Sequence, residues 1–405
     1  MSKVTTRGAV EITSGTAEEP RGVEVSIVLP CLNEADTIAA CVAEAQRAMA
    51  EHDVEGEIIV ADNGSTDESV AIALAMGGRV IDVEAPGYGS ALMGGIAEAR
   101  GTYVVMGDAD ASYDFSEVPN FLFKLREGNA LVMGCRLPSG GGHVAPGAMP
   151  PLHRWIGNPV LTRLARWWFH APVHDVYCGM RGFTKALYDR LDLRSTGMEF
   201  ATEMVIKASL YDERITEIPI TLRPDGRTSH APHLKTFRDG WRTLRFFLMY
   251  CPAWLFLIPG GLLIAIGALG YAVALPSLTL DGVNFSAHTL LFASLSVILG
   301  YQSIVFGLFT KVFAISEGLL PADRRLNRFF QYAKLERGLL LGAVTALIGI
   351  GLLLSRFSEW AGTKFGPLNY AHTMRWVIPG ATLVVLGFQT IWSSFYVSIL
   401  GLRRT

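Results

Sequence analysis

Between residues 23 and 135, short apolar runs alternate with stretches whose apolar positions recur every three or four residues. Val23–Pro30, Glu57–Ala61, Arg79–Val83, Tyr103–Met106 and Ala130–Cys135 are β-branched or apolar runs bounded by polar turns, and they read as buried strands. Ile38, Val42, Ala45 and Met49 share one helical face, behind an Asp36 placed to cap that helix. Ser65-Thr-Asp-Glu68 has the form of a capping box for a second helix, which Gly77-Gly78 closes. Gly87-Tyr-Gly-Ser90 opens a third, which stops at Gly101. This alternation predicts an α/β domain with a mainly parallel sheet covered on both faces.

Beyond residue 234 the pattern changes. Phe237, Trp241, Leu244 and Leu248 form one helical stripe and Arg238, Arg242 and Arg245 a neighbouring one, so residues 234–252 read as an amphipathic helix at a bilayer surface. Four runs without acidic residues follow, at 253–275, 289–310, 338–354 and 376–400. Each reads as a membrane span, the third being short and flanked by Arg337 and Arg356. The predicted organisation is therefore a disordered tail (1–22), a catalytic α/β domain (23–233), the juxtamembrane helix, and an all-α transmembrane domain (253–405).

Composition agrees: of 405 residues, 50% are hydrophobic and only 18% charged, too apolar for an ordinary soluble protein. The loop between the second and third runs carries Arg324, Arg325, Arg328, Lys334 and Arg337, whereas Pro276–His288 has no Lys or Arg. The positive-inside rule then predicts a multi-pass inner (plasma) membrane protein with the catalytic domain and both termini cytoplasmic. The first residues lack the apolar core of a signal peptide. A net charge of −2 makes no case for nucleic acid. The five cysteines form neither a disulfide framework nor a zinc spacing, so reduced thiols are expected; buried packing fits Cys178 better than reactivity. His170/His174 and His230/His233 have metal-like spacing but lack a Cys or Glu-x-x-His partner, which favours ordinary histidines. The glycines of the spans (Gly260, Gly261, Gly267, Gly270, Gly342, Gly349, Gly351) fit close helix packing within or between subunits, or simply membrane composition. A homo-oligomer stays open.

The candidate chemistry lies where strands end. Asn33-Glu34 follows the first strand, Asp62 the second, Gly87-Gly89 the third, and Asp108-Ala-Asp110 the fourth. In an open parallel sheet, loops beyond the carboxyl ends of successive strands form one pocket. Alone, Asp108 and Asp110 read as two solvated turn acids. If extended, their spacing puts both carboxylates on one face, where a Mg²⁺ or Mn²⁺ that also takes substrate phosphates would relieve their repulsion. Asp62 can accept hydrogen bonds from a base or ribose, and the Gly87–Ser90 backbone can approach a phosphate. No Gly-Lys-Ser/Thr follows that loop and no Gly-x-Gly-x-x-Gly follows the first strand, which disfavours an NTPase or a dinucleotide oxidoreductase.

Ser26-Ile-Val-Leu-Pro-Cys-Leu-Asn-Glu34, Val60-Ala-Asp-Asn-Gly-Ser-Thr-Asp67 and Asp108-Ala-Asp110 together resemble family 2 glycosyltransferases of the GT-A fold. Within these the chain is similar to the polyprenyl-phosphate glycosyltransferases, which include dolichyl-phosphate mannose and glucose synthases. Met133-Gly-Cys-Arg136, His153-Arg-Trp-Ile-Gly-Asn158, Asp175-Val-Tyr-Cys-Gly-Met-Arg-Gly-Phe183 and Leu222-Arg-Pro-Asp-Gly-Arg-Thr-Ser229 extend the resemblance to about residue 250. It implies an inverting, metal-dependent transfer of a hexose from a UDP- or GDP-sugar to a polyprenyl (dolichyl or undecaprenyl) phosphate. Pro30, Asn33, Glu34, Asp62, Gly89 and Asp108 would hold the nucleotide-sugar. Asp110, with Asp108, would take the metal; Arg136, Arg154 and Arg223 the acceptor phosphate; and Asp175 would stand near the reaction centre. Two departures concern the usual Gln after the acid pair, here Ser112, and the usual lysine of the glycine loop, here Tyr88. A processive polysaccharide synthase is an alternative, but Pro151 stands where its Gln-x-x-Arg-Trp motif needs Gln. A non-catalytic membrane scaffold with a vestigial nucleotide fold is another. Which hexose is carried stays open.

Overall fold

The computed structural model describes residues 11–12, 22–228, 236–276, 278–280, 283–324, 326, 328 and 334–401. Ser229, His230, His233, the last four residues and the tail apart from residues 11–12 and 22 lie outside it; Glu11–Ile12, expected to be disordered, pairs antiparallel with Ile81 and Val80. The chain forms two compact units, dividing between Phe247 and Leu248.

In the first unit, strands β1 (Glu11–Ile12), β2 (Val25–Cys31), β3 (Gly56–Asp62), β4 (Arg79–Asp82), β5 (Tyr103–Met106), β6 (Leu131–Cys135), β8 (Arg181–Thr184) and β9 (Ile215–Pro219) make one sheet in the order β1-β4-β3-β2-β5-β8-β6-β9. A two-stranded parallel pair, β7 (His143–Val144) with β10 (Thr221–Leu222), lies apart from it. β4, β3, β2 and β5 run parallel, as the sequence predicts; β8 enters antiparallel between β5 and β6. This is the mainly parallel GT-A arrangement. Five successive residues of β2 (Val25–Leu29) are buried, and since alternate side chains point to opposite faces, both faces are covered. Pro30, which cannot donate a ladder bond, lies beyond Val28, where pairing with β5 ends.

The helices are α1 (Ile38–Glu51), α2 (Ser69–Ala75), α3 (Tyr88–Ala97), α4 (Val118–Arg126), α5 (Asn158–Phe169), α6 (Lys185–Leu191), α7 (Glu199–Leu210) and α8 (Thr236–Tyr250). The predicted stripe of α1 is buried as expected: Ile38, Val42, Ala45 and Met49. Two predicted caps are not made. The N-cap of α1 is Thr37 rather than Asp36, whose carboxylate accepts the N–H and hydroxyl of Thr228 at 2.9 and 3.0 Å. Ser65 accepts the Asn33 N–H at 2.9 Å instead of closing a capping box, and Asp67 binds Ser69 and the Ala35 N–H. Each of these short polar side chains joins two loops rather than ending one helix. Among the described side chains of α8, Thr243, Phe246 and Phe247 are buried, with Phe247 edge-on to Trp168 and Phe169 of α5. Trp241, on the stripe expected to face acyl chains, is 59% exposed.

The second unit holds four helices long and apolar enough to cross a membrane: Ala253–Ala274, Ala287–Ser316, Leu335–Gly362 and Tyr370–Leu400. The third is 28 residues, longer than its apolar run predicts. It includes both flanking arginines; Arg356 pairs with Glu359 at 2.5 Å and lies over the Trp376 ring, so a charged side chain near the end extends the helix instead of stopping it. Span glycines mark close approach within this unit. A Cβ on Gly260 would lie 2.8 Å from the Gly300 carbonyl, and one on Gly349 2.6 Å from that of Gly380. Gly261 and Gly351 face open space. Hydroxyls tie the same helices, Tyr271 to Ser294 and Thr382, and Tyr301 to Thr390.

Candidate active site

The site is built on loops at the carboxyl ends of β2, β3 and β5, crossed by the segment Leu222–Thr228. β5 stops at Met106, so Asp108 and Asp110 sit in a bend rather than in extended chain. They still face each other's charge: burial first, then Asp110, raises the Asp108 carboxyl above the ordinary aspartate range. Asp108 accepts a 2.8 Å hydrogen bond from the Tyr88 hydroxyl. Tyr88, a departure from the family's lysine, thus serves the acid pair directly. A Cβ on Gly179 would lie 2.9 Å from Asp108 Oδ2 and from the Tyr113 hydroxyl, so only glycine lets that chain pass. Ala111 adopts φ 58°, a left-handed turn that folds Ser112 back onto Asp110. The Ser112 hydroxyl and N–H both donate to Asp110 Oδ1, at 2.5 and 3.0 Å. Ser112 therefore orients the acid from inside the loop.

Asp62 ends β3, 5% exposed. Its Oδ2 accepts the N–H groups of Gly64 and Ser65 at 3.1 Å, while Oδ1 is buried and finds no hydrogen-bond partner among the described residues. An orphaned acceptor of this kind costs about 1–3 kcal/mol unless something donates to it. Asn33, at φ 59°, accepts the Thr66 N–H at 2.8 Å and so joins the first two loops.

Other predicted residues have partners within the protein. Gly89 and Ser90 donate their N–H groups to the Thr196 carbonyl at 2.9 and 3.2 Å, and Gly87 N–H donates to Asn63. The glycine loop is thus a packing device and not an open phosphate cradle. A Cβ on Gly89 would lie 2.2 Å from the Ser195 carbonyl oxygen. Gly89→Ala is expected to lower stability by about 1–3 kcal/mol, measured by thermal or denaturant unfolding, because backbone must shift.

Arg136 and Asp175 are paired with each other. The guanidinium donates to both carboxylate oxygens at 2.7 and 3.0 Å, with Asp175 fully buried and Arg136 8% exposed. The structure joins these two residues, expected on the acceptor phosphate and at the reaction centre, as one buried bidentate pair. The Arg136 charge still reaches Asp108, and burial followed by the Arg136 charge lowers His153. Arg223 is held by Glu44 at 3.0 Å and by Asp114. Arg154 stands apart: its guanidinium lies over the Trp155 ring and its Nε is buried with no hydrogen-bond partner among the described residues. His174 pairs with Glu217 at 2.7 Å and His170 caps α5, so neither forms a metal pair with the other. All five cysteines are free.

Arg227 is the residue sequence reasoning passed over. Only 10% exposed, it donates to Glu34 from Nε and Nη2, to Asp225 from Nη1 at 2.8 Å, and stands 3.5 Å from Asp110 Oδ2. Glu34, expected on the nucleoside, is its main partner. The N–H groups of Arg223 and Gly226 donate to the carbonyls of Ser112 and Asp110 at 2.8 and 2.9 Å, so this segment is a strap laid across the acid loop.

Among the described residues, no three His, Cys, Asp or Glu are grouped as a self-sufficient metal centre would need. Two neighbouring carboxylates suit a Mg²⁺ or Mn²⁺ whose remaining ligands are water and substrate phosphate.

The family model for glycosyl transferase family 2 matches residues 26–192, and that for the glycosyltransferase family 2 C-terminal transmembrane region matches 308–401. The low-salt glycan biosynthesis hexosyltransferase Agl6 of Haloferax volcanii is 38% identical over 382 residues, 93% of this chain and 89% of that protein. A dolichyl-phosphate hexose transferase of the same organism is 31% identical, over 49% of this chain and 83% of its own. The crystal structure of glucosyl-3-phosphoglycerate synthase from Mycobacterium tuberculosis aligns at 24% identity and a TM-score of 0.46, over 57% of this chain and 79% of that one. The chain belongs to glycosyltransferase family 2, as a member with a C-terminal transmembrane region.

Proposed function

We propose that the protein transfers a hexose, with inversion, from a nucleoside diphosphate sugar to a polyprenyl-type lipid phosphate at the cytoplasmic membrane face. The observation that carries this reading is the orphaned, buried Oδ1 of Asp62 on the loop neighbouring the Asp108–Asp110 bend. One presents an acceptor for a base or ribose N–H or O–H; the other presents charge for a metal–diphosphate. The hexosyltransferase and dolichyl-phosphate names of the two relatives support the sugar and lipid classes.

A divalent cation held by Asp110 and Asp108 would neutralise charge developing on the leaving diphosphate. The protein's own residues do the rest. Tyr88 and Ser112 fix the two carboxylates, and Asp62 receives the nucleoside. A lipid phosphate is already anionic near neutral pH, so the nucleophile needs positioning rather than a base. Arg154, with its unmatched Nε, is the arginine best able to receive it. It lies beside an exposed stripe of Leu152, Trp155, Ile156, Val160 and Trp167, apolar surface suited to acyl chain and headgroup boundary.

The test uses purified full-length protein with labelled UDP- and GDP-hexoses, polyprenyl phosphate and Mg²⁺ or Mn²⁺, followed by mass measurement of the lipid product. A single-hexose lipid phosphate is expected from at least one donor. Absence of labelled lipid with every donor overturns the reading, and a ladder of repeating sugars would replace it with a processive synthase.

A further inference from the structure

Arg227 occupies an unusual position for a residue with no evident bond to make in transfer itself. Among the described residues its guanidinium is the cation nearest Asp110 Oδ2, at 3.5 Å, and it is clamped from the other side by both oxygens of Glu34, at 2.5 to 2.9 Å. The carboxylates it faces are themselves largely shielded, with side-chain exposures of 5% for Glu34, 14% for Asp110 and 28% for Asp225. Its charge also lowers Asp108 against the effects of burial and Asp110. Arg136 offers these acids less, because its fork is closed on Asp175. Several carboxylates drawn together without Arg227 would repel, and one would take up a proton or a metal.

We propose that Arg227 is the resident counter-cation of the donor site, and that a divalent cation arriving with the nucleotide diphosphate takes Asp110 from it. This rests on the reading of Asp110 as a metal ligand given above. Two consequences follow from the geometry. The metal alone must compete with a charge already in place, so it binds weakly until a diphosphate adds ligands and negative charge. Loss of the Arg227–Asp110 contact also removes one anchor of the Leu222–Thr228 strap, while Glu34, Asp225 and the Gly226 N–H keep the others. Donor binding is thereby coupled to the segment that leads toward α8.

The experiment measures Mn²⁺ binding to the full-length protein in detergent by electron paramagnetic resonance of free Mn²⁺, with and without UDP or GDP. For the unaltered protein, the better nucleotide is expected to tighten Mn²⁺ binding by about tenfold or more. Arg227→Gln removes the competitor and is expected to tighten nucleotide-free Mn²⁺ binding by about tenfold, shrinking the gain from nucleotide by the same factor. Arg227→Lys keeps the charge and should stay within about threefold of the unaltered protein. If Arg227→Gln binds nucleotide-free Mn²⁺ no better than the unaltered protein, the proposal is overturned. It is equally overturned if nucleotide leaves Mn²⁺ affinity of the unaltered protein unchanged, a result independent of any variant's folding. Binding that survives Asp110→Ala undiminished would instead remove the metal-ligand reading beneath it.

Discussion

Asp110→Ala is expected to reduce hexose transfer by about a thousandfold or more while leaving the fold intact, a barrier increase of about 4 kcal/mol. The size follows from what the carboxylate does in the proposed reaction. A diphosphate leaving group gathers charge as the bond to the sugar breaks, and the metal that neutralises it would be held chiefly by this side chain. The fold should tolerate the change because Asp110 supports little else. Its hydrogen bonds come from Ser112 in its own turn, and Arg227 stays anchored to Glu34 and Asp225 without it. Labelled-lipid yield and thermal unfolding of the same preparation check both halves. Near-normal transfer by Asp110→Ala would exclude Asp110 as the principal metal ligand; a collapsed melting temperature would show that the loop is structural. Asp108 makes a poorer probe, because it also takes the Tyr88 hydroxyl and packs against Gly179.

Where the sequence was read well, the signal was local. Alternating apolar runs and helical stripes place β2 to β5 and α1, because burial on two faces requires continuous apolar strands wherever such a sheet occurs. Uncharged length places the four long helices, and loop position places Asp62 and the acid pair at one end of the sheet. The antiparallel β8 was hidden because Arg181-Gly-Phe-Thr184 is short, opens on a charge and contains a glycine. Its place between β5 and β6 is set by pairing, not by its own pattern.

Partner choice was the other blind spot. Asp36 has the right chemistry for a cap, but Thr228 reaches it from 192 positions away. Gly89 has the right chemistry for a phosphate, but the Thr196 carbonyl arrives first. Arg227 meets Glu34 across 193 positions, so nothing near either residue announces the pair. Helix ends in the second unit behave alike, since backbone hydrogen bonding carries the third helix past the charges that end its apolar run.

The buried pair Glu203–Lys207 should give the largest stability effect in the first unit. The two side chains lie one helical turn apart on α7, each 1% exposed, with Nζ 2.8 Å from Oε1. Neither has a vacant bond: Lys207 also donates to the carbonyls of Leu191 and Asp192, and Glu203 accepts the N–H groups of Arg194 and Ser195. Glu203→Leu strands a buried ammonium and is expected to cost about 3–5 kcal/mol, readable as a loss of denaturant midpoint. Adding Lys207→Met should restore much of that loss, because an apolar pair removes both desolvation penalties. The double variant should nevertheless bind donor less well. Glu203 holds the Arg194–Ser195 backbone, and the next residue, Thr196, is the one that receives Gly89 and Ser90 beside the site. Acid separates the cases further. Burial pushes the Glu203 carboxyl up, but Lys207 and the hydrogen bonds from Ser195 together outweigh it and hold it below the ordinary glutamate value of 4.5. A depressed carboxyl contributes stability that is full above that ordinary value and is lost as pH falls through the folded one. Stability of the unaltered protein should therefore decline below about pH 4.5, and the double variant should lose less over the same interval. If Glu203→Leu alone were neutral, the pair would contribute nothing to the fold, and the 194–196 loop would owe its position to packing alone.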